Sequence, residues 1–118
     1  MNDIINYCLT KPKSYRDCPF GEYPICIRVN QKIFAQIYPD KVTLKCTRFQ
    51  GELFRQNYPG IVVRGYHCPT VQQPYWNTIF PDYFPDDLTY MIDLAYDTVI
   101  SGFSKRIQRE LLQEPHTS

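Results

Sequence analysis

The chain has no long apolar run. Its longest uninterrupted aliphatic stretch is Ile61, Val62, Val63, far short of the roughly 20 residues that a membrane-spanning helix needs. The amino-terminal MNDIINYCLTKPK does not place a basic segment ahead of an apolar one, so neither export nor membrane insertion is expected. Compact C-x-x-C and H-x-x-x-H spacings are missing too, which removes the readable zinc patterns. The glycines (Gly21, Gly51, Gly60, Gly65, Gly102) are scattered, so neither a P-loop nor a G-x-G-x-x-G cradle can be drawn. Histidine is scarce, and His67 is the only one ahead of the tail. Its neighbour Cys68 precedes Pro69 and is expected to be a loop thiol rather than a nucleophile. No metal and no cofactor is expected.

Net charge is also small. The formal total is +1, yet residues 1–66 carry +5 and residues 67–118 carry −4. A chain polarised in this way could offer one basic face to a polyanion despite its neutral total, or the two halves could mix in space on folding. The five cysteines are odd in number and irregularly spaced, which fits reduced thiols and a cytoplasmic setting better than a disulfide framework. With 118 residues, 43% of them apolar and 15% aromatic, the expectation is one folded domain with a core over about 2–112 and a frayed tail over 113–118.

Periodicity divides the chain. Asn2 or Asp3 caps a first helix to about Thr10, and Lys13 to Pro24 reads as a connector with two prolines and a glycine. Then ICIRVN, IFAQIY and VTLKC alternate apolar and polar residues, with turns at Asn30-Gln31-Lys32 and Pro39-Asp40-Lys41. In this antiparallel meander Ile25, Ile27, Val29, Val42, Leu44 and Cys46 face the core, while Arg28 and Lys45 face away. In the middle strand two phases compete: Ile33, Ala35, Ile37 against Phe34, Tyr38. Thr47 opens a second helix, roughly Phe49 to Tyr58, with Leu53 and Phe54 inward and Pro59-Gly60 as its stop. Val62 to Tyr66 and Trp76 to Phe80 are two more strands, the last with Trp76, Thr78 and Phe80 inward. Asp86 caps a third helix in which Leu88, Met91, Ile92, Ala95 and Val99 recur at helical spacing. Gly102 ends it, and Ser104 caps a polar fourth helix to about Gln113. The order α-β-β-β-α-β-β-α-α predicts an α+β two-layer sandwich: an antiparallel sheet of about five strands, helices on one face, the other face open.

Paired carboxylates occur at Asp86-Asp87, where a helix dipole explains them, and at Asp93 with Asp97, which reads as a solvated face. An enzyme therefore has little to stand on. Phosphate contact is better served. Arg28 and Lys45 would flank the middle strand on the order of 10 Å apart, with Arg64 extending the patch. Lys32 and Lys41 sit in successive turns, roughly 17 to 20 Å apart at opposite ends of the meander, so only one of them can join any single contact. Tyr75 could stack a base, though tyrosines at layer edges are more often structural.

Taken in order, "CPFG", "VNQKIFAQI", "VTLKC", "LFRQNYPGIVVRGYH", "YWNTIF" and "FPDDLTYMIDLAYDTV" resemble the MmcQ/YjbR family of small bacterial proteins over about Ile4 to Leu112. The resemblance implies a secretion-chaperone-like α+β fold, a DNA-binding label with a double-wing arrangement, and no catalytic activity. The family's aromatic-basic element falls on Gly65, Tyr66, His67, Trp76, Asn77 and Thr78. Between them this chain departs: CPTVQQPY is uncharged and about three residues longer than the family pattern, which puts a lysine there. The resulting expectation is a non-enzymatic domain that binds DNA weakly and in a salt-dependent way. Arg28, Lys45 and Arg64 would contact phosphates, with Lys32 or Lys41 depending on the end that approaches, and His67 and Tyr75 at the wing. The alternative is a protein-interaction adaptor, homodimeric in one version, marked by exposed Phe34, Tyr38 and Tyr66 on the open sheet.

Overall fold

The computed structural model describes residues 2–80 and 88–112. The Asp86 cap, the Asp86-Asp87 pair and the tail from residue 113 lie outside the described residues. Six antiparallel strands form one sheet: β1 (Tyr15–Asp17), β2 (Ile25–Val29), β3 (Lys32–Ile37), β4 (Val42–Lys45), β5 (Val62–Arg64) and β6 (Trp76–Ile79), in the spatial order β1-β2-β3-β4-β6-β5. Helices α1 (Asn2–Leu9), α2 (Arg48–Asn57) and α3 (Leu88–Ser101) pack on one face, and α4 (Lys105–Leu112) follows. This is the α+β layering read from the sequence, with one strand more.

The extra strand is β1, inside the stretch expected to be a connector. Three residues without apolar alternation give no period to detect. It is fixed by pairing instead, with Tyr15 opposite Arg28 and Asp17 opposite Cys26, and by Arg28 Nε, which donates to both Asp17 carboxylate oxygens at 3.0 and 3.1 Å. The next hairpin turns tightly at Asn30 and Gln31, both with positive φ (46° and 71°), as two-residue loops between right-twisted strands require.

A bulge settles the two competing phases of β3. Ile27 pairs with Ala35 and Arg28 with Ile33, leaving Phe34 as the extra residue. Phe34 and Ala35 are both fully buried, and the Phe34 ring meets Tyr96 of α3 edge to face, 5.4 Å between centroids. Both phases are therefore partly right, on either side of one inserted residue. Phe34 consequently drops out as an exposed mark of an interaction surface.

The helical face holds Ile27, Ala35, Ile37, Val42, Leu44, Val62 and Ile79 against Met91, Ile92, Ala95, Tyr96 and Val99 of α3 and Ile4, Ile5 and Cys8 of α1. Leu53 of α2, expected inward, is exposed; Phe54 alone of that pair packs on the core. Thr47 caps α2 by accepting from the Gln50 amide at 3.1 Å. Asp93, although half-exposed, does more than face solvent. It accepts a 2.7 Å hydrogen bond from the Tyr7 hydroxyl and is ion-paired with Lys11, fastening α3 to α1 and the turn after it.

The far face is only half open. Cys26, Thr43 and Thr78 project there and are fully buried. Part of the cover is the segment after β5, which folds back so that His67 Nε2 lies 3.3 Å from the Thr43 hydroxyl. Within the uncharged loop, Thr70–Tyr75 form a 3-10 turn, and Gln73 Nε2 donates to the Cys68 carbonyl at 3.1 Å.

Candidate anion-binding cleft

β3 runs on past β4. Their last pair is Ala35 with Leu44, so Lys32, Ile33 and Phe34 extend beyond it, while Lys45 pairs with Trp76 of β6. The strands part at this end of the sheet, and a cleft of about 460 Å³ opens between them and the end of α3. Its cations are Arg28, Lys32 and Lys45; its apolar walls include Ile33, Trp76 and Phe103. Among the described residues no carboxylate lines it.

Arg28 and Lys45 are in different electrostatic states. Hydrogen bonding to Asp17 raises the Arg28 pKa, and Arg28 also donates to the Gln31 carbonyl at 2.9 Å. Arg28 is thus largely committed to holding β1 and the hairpin turn. Lys45 has no carboxylate partner among the described residues. Its ammonium lies 5.2 Å from the Trp76 ring centroid and 5.7 Å from that of Tyr75. Burial holds its pKa below the ordinary lysine range, and the charge of Lys32 acts in the same direction. An anion placed between the two lysines would relieve both effects, since an opposite charge favours the protonated form.

The remaining candidates lie elsewhere. Lys41, in the β3–β4 turn, sits over the Tyr38 ring at 4.4 Å and 3.8 Å from its neighbour Asp40. His67 packs edge to face between Tyr38 and Tyr66, centroids 5.5 and 5.4 Å away. Burial, then the charge of Lys41, lowers its pKa, so at neutral pH it carries no positive charge for a phosphate. Arg64 pairs with Asn77, and Asn77 shares the helical face with Leu44. Arg64 therefore projects away from Arg28 and Lys45 and does not extend their patch. Trp76 does share a face with Thr78, but it is the face away from the helices, beside Lys45.

The structure brings Arg28, Lys32 and Lys45 together at the cleft, sets Tyr75 beside Lys45, and leaves Lys41, His67 and Arg64 apart. Sequence reasoning missed Ile33, Trp76 and Phe103 as parts of one site. The alternation around Trp76 carries a signal for its face only once the β4–β6 register is known. All five cysteines are free. Burial pushes the Cys46 thiol up to about 11 and the Cys8 thiol up to about 12, so both stay protonated at neutral pH. Among the described residues no group of His, Cys, Asp and Glu gathers as metal ligands, and no helix is long and apolar enough to cross a membrane.

No curated protein sequence matches the chain. Among solved structures, a Deinococcus radiodurans protein with a DUF419 domain is similar at 25% identity and a TM-score of 0.80, over 93% of this chain and 86% of that one. A Pseudomonas syringae protein shares the fold, with 17% identity and a TM-score of 0.64, over 82% of this chain and 96% of that one. The YjbR family model matches residues 9–98, a span that contains the whole sheet and most of α3. The chain belongs to the YjbR family.

Proposed function

We propose that this domain is a non-enzymatic nucleic-acid binder that contacts DNA phosphates through Lys32 and Lys45 at the cleft, weakly and in a salt-dependent way. One observation carries the reading: two lysines that have no carboxylate partner among the described residues line one cleft beside an aromatic wall in an otherwise neutral molecule. Lysines on exposed strands often serve only to keep edges from pairing, but Lys45 is half-buried at the expense of its own charge. The Cys8 and Cys46 thiols are held protonated by burial and the His67 pKa is lowered, which favours binding over catalysis.

Fluorescence anisotropy with labelled single-stranded and duplex DNA tests this at low and moderate salt. Binding at low salt that fades as salt rises is expected. No binding to either form at low salt, or binding indifferent to salt, sinks the reading.

A further inference from the structure

Phosphate contact alone does not need a cleft. A duplex backbone is convex and can be gripped by lysines on a flat surface, whereas a concavity of about 460 Å³ lies in the size range of sites that enclose small molecules. The cleft is also polarised. Lys32 and Lys45 mark its strand side. Its other side is the carboxyl end of α3, where Val99 and Gly102 line it and the negative end of the helix dipole repels anions. An occupant with one anionic end and one flat apolar end would enter in a single orientation.

We propose that the cleft holds one unstacked nucleotide, its phosphate between Lys32 and Lys45 and its base along the wall made by Trp76 and Phe103. The inference rests on the DNA reading above and refines it, since an unpaired nucleotide comes from a single strand. Lys45 Nζ is 5.2 Å from the Trp76 centroid, so a phosphate on that ammonium brings the attached sugar and base within reach of the indole. Aromatic side chains are sequence-tolerant platforms for bases, because every base offers a π-face. A duplex, its bases stacked inside, could present only its backbone to the lysines.

Trp76 is the single tryptophan of the chain, so its emission reports directly on the cleft. A short single-stranded oligonucleotide is expected to quench it, and the same sequence as a duplex to leave it unchanged. Lys32→Gln or Lys45→Gln should weaken the quench about tenfold each, and Phe103→Leu by a similar factor. Lys41→Gln, at the other end of the sheet, is the charge-matched control and should leave it intact. Thermal melts of each variant separate lost binding from lost folding. Thymidine 5′-monophosphate should reproduce the quench at higher concentration and thymidine should not. A nucleoside that quenches as well as its phosphate overturns the lysine anchor. Equal affinity for both DNA forms with unchanged emission overturns the nucleotide site while leaving the DNA reading in place; no binding to either form removes both.

Discussion

Gly65 shows how narrowly single residues are set around the cleft's aromatic wall. Its amide donates to the Trp76 carbonyl at 2.8 Å, and a Cβ built on it would lie 2.7 Å from the Trp76 Cβ and 3.2 Å from the Cys68 sulfur. The glycine is needed for space, since two bonded backbones already fix both Cβ positions. Gly65→Ala should destabilise the domain by about 1–3 kcal/mol, the usual cost of overpacking, read as a lower midpoint in urea denaturation followed by Trp76 emission. His67 illustrates a different limit. Its folded pKa is lowered by burial, so the stability linked to its neutral form is present above the unfolded value of about 6.5 and declines as pH falls from there. In the sequence, the family resemblance placed His67 at a wing. Only its position over Thr43, between two tyrosines, makes it a neutral lid.

At the scale of elements, the strands with apolar alternation and the helices with a buried stripe were legible, because period and burial coincide in them. β1 was not, because its register and Asp17 hold it rather than any pattern of its own. The bulge at Phe34 was legible only as ambiguity: two phases competed because the strand uses both. The tie between α1 and α3 was also hidden, since Asp93 and Tyr7 are 86 residues apart and an i, i+4 carboxylate pair reads most simply as surface. Burial alone would raise the Asp93 pKa, but Lys11 and Tyr7 outweigh it and hold the carboxyl below its usual range. The linked stability is therefore present above the unfolded value of about 3.9 and is lost as pH falls through the lower folded value. Thermal melts across this window should show wild type more stable than Asp93→Asn at neutral pH, with the gap closing below about pH 4. A gap that stays constant with pH would mean the carboxylate charge contributes nothing to the tie.

For the whole molecule, the charge polarity along the chain is partly cancelled by folding, since Lys11 from the basic half meets Asp93 from the acidic half. Arg28 is taken by Asp17 within the basic half itself. What remains at the cleft is two lysines sharing one phosphate, so the logarithm of affinity for single-stranded DNA should fall with the logarithm of salt at a slope of about −0.7, and Lys32→Gln should weaken binding with little change in so shallow a slope. A slope steeper than about −4 would locate the phosphate contacts outside the cleft. The sequence supplied the basic residues of this site but not their company. Arg28, Lys32 and Lys45 stood out by charge, whereas the aromatic wall depends on β4 leaving β3 for β6, which no local pattern encodes.

The inserted residue in β3 also bears on how related chains are compared. Because Phe34 shifts the alternation by one place, the hairpin tip and the rest of the strand keep separate reading frames, joined at a single amino acid. A relative that paired the same residues straight through, with no bulge, would keep Ala35 to Ile37 in place and yet turn Ile33 toward the helices and Phe34 away from them, changing the mouth of the cleft without a substitution at any residue lining it. The register of the β3 tip against β2, rather than identity at the lysines, would then be the trait that separates chains with this opening from those without it.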